Sequence, residues 1–562
     1  MKWKEQTIIL WWKCWDKRST REVSDFLKFC GKGVRSLIMT SAKNTKQQHL
    51  DPEAINTRID VSNFGPINSG HVELRPLTVL IGPSNTGKSY LAILIYALHR
   101  ALSGFSKLPS LWEPDIFDEE LNKLREEYKG FLEIIKSKRT RIHLSDFPSI
   151  VGKSIEEYFN EPGQYSSVLM AELRSCFDTD SLKSLISSLN GTADANITTT
   201  TFANGNEIWR SKVSISKSGE IDTEGSIIDF ELMNEAEFSP ESDSSKMFQI
   251  RNNRIEKMDS WDISQLLVSF IEKISPVSKN VFYLPAARSG IMQSHRIIAS
   301  AVMSQSTRAG LDKFEGSLTF SSMTAEFLSH LIAFDSKHGM RHSWMPYAYR
   351  PLNYLTVRHS SRSKSIINLA DEIEKSTLGG KVTSKTSKNS GYPEFYYRPD
   401  GVQDDIRMNR VSSMVTELSP LVLFIRENIC KGDTLIVEEP EAHLHPEAQT
   451  KIAVILAKLV RLGVRVVVTT HSDWLLKEFG NLIREGDLAA KSDEYVSTSG
   501  SALRAQDVGA WLFQKGEKEN GSTVSEIEFD PVEGIEPSDY EDVAERLYNR
   551  SVKLQDKLDV LP

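Results

Sequence analysis

A glycine-rich loop between a strand and a helix constrains this chain more than any other feature of its sequence. Residues 82–89 read GPSNTGKS and match the phosphate-binding pattern G-x-x-x-x-G-K-[ST] at every fixed position. The run LTVLI at 77–81 is typical of a buried strand, and the apolar run at 90–98 predicts a helix without a breaker. Strand, loop and helix therefore stand in the order that a phosphate-binding loop requires.

The residue types of this loop predict a nucleoside triphosphate as the ligand. Gly82 and Gly87 permit backbone conformations that turn successive N–H groups inward, toward an anion. We expect Lys88 to carry a positive charge to the β- and γ-phosphates and the Ser89 hydroxyl to bind Mg²⁺. The whole loop is predicted to bind the phosphates of ATP: Gly82, Pro83, Ser84, Asn85, Thr86, Gly87, Lys88 and Ser89.

Length, charge and cysteine use limit the class of protein. A chain of 562 residues exceeds the ~150 residues of a typical domain and predicts several units. The net charge of -8 does not favour a nucleic-acid binder, although a local basic face is compatible with it. The four cysteines fit no zinc or redox spacing, and no apolar run approaches the ~18 residues of a membrane span. These features predict a soluble cytoplasmic protein with reduced thiols.

Two further strands each end in polar residues. The strand predicted at 433–437 is followed by Glu438 and Glu439. We expect Glu438 to face the Mg²⁺ and its waters, and Glu439 to orient and polarise the water that attacks the γ-phosphate. The alternative is a pair of solvated acids that close a strand. The strand predicted at 464–470 leads to His471, which could bind the γ-phosphate or the attacking water, or could instead cap a helix or fill the core.

Other polar residues allow more than one interpretation each. His443 and His445 are two residues apart with acids nearby, but their place between a strand and a helix favours a loop over a metal site. Arg288 follows the strand predicted at 281–284, where it could meet a phosphate, meet a partner subunit, or form a structural salt bridge. The basic residues within 377–398, predicted as a hairpin, could form a nucleic-acid face or a solvated surface.

Together the motifs GPSNTGKS, LIVEEPEAHLHPEAQ and VVVTTHSDWLL resemble the ABC-type AAA family ATPases of the RecF/OLD-like group. The resemblance covers about 56–100 and 400–485. It implies an α/β fold, a P-loop NTPase of ABC-ATPase type with a mixed sheet. Residues 196–232 are predicted to add an antiparallel β subdomain, and the insertion at 106–280 is predicted to be largely helical. The part after His471 contains no Asp-x-Asp, so we expect no Toprim nuclease domain in this chain.

The resemblance also implies an ATPase that dimerises head to tail around ATP. The family's signature element lies shortly before the carboxylate strand, where this chain has Ser412 and Ser413 followed by Met414 in place of the usual glycine. By resemblance, both serines would contact the γ-phosphate of ATP that is held by the other subunit. The implied role is a DNA-linked switch in anti-phage defence or repair that controls a separate nuclease or toxin effector. A self-contained DNA-structure-binding repair protein and, less favoured, a transporter ATPase subunit are the alternatives.

The predicted organisation has five parts. Residues 1–55 form a basic extension, with eleven Lys or Arg against four acids within residues 1–50, and Met1 or Met39 could be the true start. Its interpretation as a surface-binding segment or as a loosely ordered extension stays open. The other parts are an ATPase lobe at 56–105, a helical and β insertion at 106–280, a linking strand with helices and hairpin at 281–400, and a second ATPase lobe at 401–562 that ends in closing strands and a helix.

Overall fold

The computed structural model describes residues 55–103, 118–136, 141–149, 152–153, 164–187, 193–203, 206–227, 229–231, 280–308, 320–333, 363–386, 393–491, 500–516 and 521–559. All of them belong to one compact unit that spans Asp51–Pro562. The predicted extension at 1–55 lies outside the described residues, Ile55 excepted. The insertion predicted at 106–280 is described in part.

Sixteen strands are present in the described ranges. In chain order they are β1 Ile55–Phe64, β2 Ile67–Leu74, β3 Leu77–Ile81, β4 Arg141–His143, β5 Ala195–Ala203, β6 Asn206–Ile215, β7 Ile221–Ile227, β8 Asp229–Glu231, β9 Val281–Leu284, β10 Gly380–Thr386, β11 Pro393–Pro399, β12 Ile406–Arg407, β13 Thr434–Glu438, β14 Arg465–Thr470, β15 Val508–Lys515 and β16 Ser522–Ile527.

Eleven of these strands form one mixed sheet in the order β7-β6-β5-β1-β2-β16-β15-β3-β14-β13-β9. The five strands from β15 to β9 are parallel to one another. The strands from β7 to β2 pair antiparallel. Strands β10, β11 and β12 form a separate antiparallel sheet, which contains the predicted hairpin. This arrangement confirms the predicted α/β fold with a mixed sheet.

The antiparallel strands predicted within 196–232 do not stand apart from the main sheet. β5 pairs along β1 from Ile55↔Ala203 to Ser62↔Asn196, so β5, β6 and β7 extend the edge of the eleven-stranded sheet. Residues are buried at alternating positions from Thr57 to Val61 on β1 and from Ala195 to Thr199 on β5, which allows both strands to share one face with the core. The antiparallel unit is therefore a continuation of the ATPase sheet.

Helices cover both faces of the parallel strands. The longer α-helices are α1 Lys88–Ser103, α2 Asp118–Lys136, α3 Gln164–Phe177, α4 Arg288–Arg308, α5 Ser322–Ala333, α6 Lys364–Ile373, α7 Ser413–Glu427, α8 Pro446–Arg461, α9 Asp473–Lys491 and α10 Ser538–Asp559. None of these described helices is both long and apolar enough to cross a membrane.

The sheet separates two apolar cores. Leu80 of β3 packs into the core that contains α1 and α3, whereas Val79 and Ile81 pack into the core that contains α7, α8 and α9. All five β3 side chains are buried, as expected for a central parallel strand that is covered on both faces. The continuous apolar runs of β3, β13 and β14 follow from this position.

The C-terminal part differs in one respect from the prediction. The closing strand is present as β16, and the helix is present as α10. The side chains of α10 are exposed throughout 545–558, including Leu547, Leu554 and Leu558. Over these residues the helix therefore does not close over the ATPase sheet.

Candidate functional site

Three neighbouring parallel strands end at one edge of the sheet, and each delivers polar residues there. Ile81 of β3 pairs with Thr470 of β14, so the glycine-rich loop and His471 begin at the same level. Glu438 ends β13 opposite Thr469 of β14. In parallel sheets the carboxyl ends of the strands line the ligand crevice. The fold thus brings the glycine-rich loop, both acids and His471 together.

The loop needs its glycines because its backbone turns through left-handed conformations against neighbouring strands. Gly87 has a φ of 101° and Gly82 a φ of 137°. A Cβ on Gly87 would lie 2.6 Å from Cγ1 of Ile67, and one on Gly82 would lie 2.3 Å from the carbonyl oxygen of Phe513 in β15. Asn85, at a φ of 65°, takes a conformation that asparagine tolerates better than most residues. This backbone can approach an anion closely.

Lys88 begins α1 with its ammonium group turned into the loop. The side chain is buried, and Nζ donates hydrogen bonds of 2.7 Å to the carbonyl oxygens of both Gly82 and Pro83. Burial lowers the pKa of Lys88 to about 8, although the negative charges of Glu439 and Glu441 act in the opposite direction. The two carbonyl groups therefore fix the ammonium group at the loop, and this group loses its proton more easily than that of an exposed lysine.

A hydrogen bond from β16 stabilises the glycine-rich loop on the side that faces the sheet. Thr86 is buried, and its hydroxyl donates to the carbonyl oxygen of Pro83 at 2.8 Å. The Ser522 hydroxyl donates to the carbonyl oxygen of Thr86 at 2.5 Å and to that of Pro66 at 3.1 Å. Ser522 joins the loop to a strand 436 residues away in sequence. The other loop positions, Ser84, Asn85 and Ser89, are exposed and face outward from the protein body.

The two acids after β13 have different surroundings. Glu438 is half-buried, and its Oε2 accepts a 3.2 Å hydrogen bond from the backbone N–H of Ala286. Burial, with the charge of Glu438 nearby, raises the pKa of Tyr283 well above its ordinary value. Glu439 has a φ of 42°, and its backbone N–H donates to the carbonyl oxygen of Thr469 at 2.9 Å. Its side chain is 43% exposed, which leaves it accessible to water.

His471 lies beside Glu439. The distance from His471 Nε2 to Glu439 Oε1 is 3.6 Å. Burial and the positive charge of Lys88 lower the pKa of His471, against the opposing effects of Glu439 and Glu441 and of a hydrogen bond to the backbone of Gly82. A lowered pKa favours the neutral imidazole at neutral pH, which can donate one hydrogen bond and accept another.

Glu441 is a residue of this site to which sequence reasoning assigned no role. Its Oε1 accepts 2.7 Å hydrogen bonds from the Thr470 hydroxyl and from the backbone N–H of His471. Its Oε2 is buried and has no hydrogen-bond partner among the described residues. The carboxylate thus fixes the end of β14. A third acid just after the pair at 438 and 439 was the available signal, but its direction toward β14 depends on the fold.

The predicted signature serines lie at the N-terminus of α7. Ser412 occupies the N-cap position without a side-chain capping bond, and Ser413 is the first residue of the helix. Both side chains are exposed. Thr416 turns inward instead, and its hydroxyl donates to the carbonyl oxygen of Ser413 at 2.9 Å. The helix start therefore presents two hydroxyl groups and unbonded backbone donors to the outside, as an anion site would require.

Arg288, His443 and His445, which allowed more than one interpretation, each have a defined place in the structure. Arg288 is buried and contacts carboxylate and carbonyl groups of its own chain, which identifies the structural salt bridge among the three alternatives. His445 caps α8, where its Nδ1 accepts a 3.4 Å hydrogen bond from the N–H of Glu447. His443 has a φ of 58° in the loop between β13 and α8. Both histidines thus lie in the segment that joins β13 to α8, and only the His445 side chain caps the helix.

The residues at this edge fit a triphosphate and a divalent ion. The ammonium of Lys88 contacts uncharged carbonyl groups, so a bound anion would supply a charge partner that these groups cannot. Ser89 and Glu438 are oxygen ligands of the type that Mg²⁺ prefers. Within the described ranges, no group of three or more His, Cys, Asp or Glu side chains could hold a metal ion. A Mg²⁺ here would therefore depend on phosphate oxygens as further ligands.

Parts of this chain are similar to known proteins. A family model described as an AAA ATPase domain matches residues 57–476. The energy-coupling factor transporter ATP-binding protein EcfA of Carboxydothermus hydrogenoformans is 31% identical over 86 residues, which is 15% of this chain. The match covers 32% of that relative's length.

Among solved structures, the chain is similar to a SmcHead bound to the C-winged helix domain of ScpA, with 11% identity, a TM-score of 0.37, and coverage of 84% of this chain and 98% of the other. An Smc head domain from Pyrococcus furiosus, bound to the C-terminal domain of ScpA, gives 9% identity and a TM-score of 0.34, with coverage of 88% and 98%. The SMC head domain from Thermotoga maritima gives 9% identity and a TM-score of 0.32, with coverage of 84% and 98%.

Proposed function

We propose that this chain, which belongs to the AAA ATPase domain family, binds ATP and hydrolyses it to ADP and phosphate. One observation carries the proposal: three adjacent strand ends place Lys88, Glu439 and His471 at one edge of the sheet. A buried ammonium beside a glycine-rich loop accounts for binding of the phosphates. An accessible carboxylate and a histidine at the next strand ends account for attack by water.

Binding is assigned to the loop at 82–89. Its backbone N–H groups and the ammonium of Lys88 would contact the phosphate oxygens, in place of the carbonyl contacts that Lys88 makes now. Ser89 and Glu438 would hold Mg²⁺, which when bound neutralises charge that develops on the phosphate oxygens. The half-buried position of Glu438 and its hydrogen bond from Ala286 fix this carboxylate at the end of β13.

Glu439 is proposed to act as the general base. Its carboxylate would accept a proton from a water molecule whose oxygen forms the new bond to the γ-phosphorus, while the bond to the bridging oxygen breaks and ADP leaves. The 43% exposure of the Glu439 side chain admits that water. His471, 3.6 Å away, would hold the water or a γ-phosphate oxygen by a hydrogen bond from its neutral ring.

The experiment that tests this assignment compares ATP turnover and ATP binding in three proteins. Wild type should hydrolyse ATP. Glu439→Gln keeps the shape of the side chain but removes the base, so turnover should fall by about 100-fold or more while ATP still binds. Lys88→Ala should lose binding itself. Turnover in Glu439→Gln equal to that of wild type would contradict the role of the base.

We further propose that two subunits bind two ATP molecules between them, head to tail. The exposed N-terminus of α7, with Ser412 and Ser413, would contact the γ-phosphate held by the partner. The support is the resemblance to ABC-type ATPases and the outward position of these serines. Because hydrolysis removes the γ-phosphate contact, the closed dimer would open after turnover.

The biological setting is proposed from the resemblance to the RecF/OLD-like group: a cytoplasmic, DNA-linked switch in defence or repair that controls a separate nuclease or toxin effector. Lys381 and Arg398 lie opposite each other on β10 and β11, and both are exposed, which gives this sheet a local basic surface. Arg398 is also paired with Asp405 at 2.7 Å. Double-stranded DNA should bind with an affinity that falls as salt rises, and should change the rate of ATP turnover.

Two alternatives make different predictions. A self-contained DNA-structure-binding repair protein would act on DNA without an effector, so a complete reconstitution with this chain alone would favour it. A transporter ATPase subunit has one specific support, the match to the transporter ATP-binding protein over 15% of this chain. Absence of DNA binding together with capture of a membrane-protein partner would favour the transporter subunit.

A further inference from the structure

We propose that Arg288 is a positioning residue that locks the backbone of Glu438 and Glu439 to the helix that starts with the signature serines. The proposal deepens the ATPase function proposed above and rests on it. Arg288 does not reach the solvent edge of the site, because its side chain is 2% exposed. It acts on the catalytic acids through their main chain.

The guanidinium group of Arg288 contacts both carboxylate-bearing residues. Nη1 donates a 2.6 Å hydrogen bond to the carbonyl oxygen of Glu438, and Nη2 donates a 3.0 Å hydrogen bond to that of Glu439. On its other side, Nε lies 3.2 Å from Oε2 of Glu417 and donates to the Glu417 carbonyl oxygen at 3.2 Å. One rigid planar group thus joins the end of β13 to α7.

The contact at Glu439 matters because this residue has an unfavourable backbone conformation. Its φ of 42° lies in the left-handed region, which is unfavourable for a residue with a side chain and persists only when the surroundings impose it. The N–H of Glu439 is held by the carbonyl oxygen of Thr469, and its carbonyl oxygen by Arg288. Together these two bonds fix the direction in which the carboxyl group leaves the backbone.

Glu417 extends the network to the loop that follows. It is 1% exposed and lies one turn into α7 from Ser413. Its Oε1 accepts a 2.6 Å hydrogen bond from the Ser289 hydroxyl and lies 3.9 Å from Nε2 of His443. The same carboxylate therefore contacts the start of α4, the loop after Glu439 and Arg288. Movement of α7, whose first turn is proposed to meet the partner's ATP, would be transmitted to the base.

The type of residue at 288 supports a positioning role. A buried ion pair often contributes little net stability, and apolar groups can replace it. Only the planar guanidinium group, however, has enough N–H donors to contact two carbonyl groups on one side and a carboxylate on the other. A lysine would supply charge from a single nitrogen and could not maintain all of these contacts.

The test compares Arg288→Met/Glu417→Gln with a matched double variant, Arg426→Met/Glu374→Gln. The control pair joins the other end of α7 to the end of α6, with 2.7 Å between Arg426 Nη2 and Glu374 Oε2 and with both side chains mostly buried. Each double variant removes both charges of a buried pair, so neither leaves a buried charge alone. In the control, Asp371 loses its 3.6 Å contact with Arg426, but the side chain of Asp371 is half exposed. Only the first removes the hydrogen bonds to Glu438 and Glu439.

Turnover at saturating ATP, ATP affinity and the thermal midpoint are measured for both. We expect Arg288→Met/Glu417→Gln to bind ATP within about threefold of wild type and to lose about 100-fold in kcat, the typical effect of a misplaced catalytic group. The control should keep kcat within about twofold at a similar thermal midpoint. Arg288→Lys should also turn over slowly. Equal kcat in the two double variants would overturn the positioning role.

A second readout separates this inference from the ATPase proposal. Hydrogen exchange of the segment 438–444 reports directly on the backbone that Arg288 holds. It should become faster by about tenfold or more in Arg288→Met/Glu417→Gln and stay unchanged in the control. If wild type hydrolyses no ATP, the proposed function fails, and the exchange comparison alone decides the role of Arg288. Unchanged exchange in this segment would refute it.

Discussion

Raising the pH should weaken nucleotide binding through a single buried group, the ammonium of Lys88. Burial lowers its pKa from 10.5 to about 8 in the folded protein. At that pKa, Lys88 is about nine-tenths charged at pH 7 and about one-tenth charged at pH 9. If only the charged form binds phosphate well, affinity falls about tenfold between these two pH values.

The loss of nucleotide affinity at high pH can be distinguished from a general loss of folding stability, because Lys88 changes the two quantities in opposite directions. Because the unfolded chain keeps the ordinary lysine pKa, it binds more protons than the folded protein between pH 8 and 10.5. Deprotonation of Lys88 therefore adds stability as pH rises through this range, while nucleotide affinity declines. Loss of binding together with a stable thermal midpoint is the expected signature.

Calorimetric titration with ADP, which is not turned over, measures both the affinity and the proton taken up on binding. Lys88→Met should bind weakly, with little dependence on pH. Lys451→Met removes an exposed lysine of α8 and should retain the tenfold change. An affinity of wild type that is constant from pH 7 to pH 9, with no proton uptake, would show that the charge of Lys88 does not control ADP binding.

Three further changes have defined outcomes. Glu441→Gln keeps an oxygen that can accept hydrogen bonds from Thr470 and His471. It removes a negative charge that raises the pKa of Lys88, so the decline in ADP affinity should begin at a lower pH. An unchanged dependence of ADP affinity on pH would contradict this. Gly87→Ala forces a residue with a side chain into a φ of 101° against Ile67 and should lower stability by about 1–2 kcal/mol and weaken ADP binding, measured by thermal melting and titration. Its control, Gly130→Ala, fills open space on α2 and should be neutral or stabilise by up to about 1 kcal/mol. Ser522→Ala removes the bond from β16 to the loop and should weaken ADP binding severalfold with little loss of stability; equal affinity would show that the loop holds its shape without it.

The parts of the site that were predictable from sequence are those encoded in short continuous runs. The glycine-rich loop, β13 and β14 each combine an apolar strand with the polar residues that follow it directly. Buried parallel strands have a recognisable composition, and their carboxyl ends must meet at one edge. For this reason the convergence of Lys88, Glu439 and His471 could be expected before the structure was known.

The parts that were missed depend on contacts between distant segments. β15 lies next to β3 and contacts Gly82, but no motif marks it. Its run VGAWLFQK is apolar and bounded by charges, which was the available signal for a buried strand. Arg288 was recognised as a residue at the end of a strand, yet its partners lie on α7 and β13, more than 120 residues away. Such pairings follow from tertiary packing.

The most direct test of the account is the mass in solution of Glu439→Gln, measured by light scattering with and without ATP and Mg²⁺. Slowed hydrolysis should preserve the γ-phosphate that would join the two subunits. We expect a monomer of 63.4 kDa without nucleotide and a dimer of twice that mass with ATP, but not with ADP. A mass that stays at the monomer value while ATP is bound would contradict the head-to-tail mechanism.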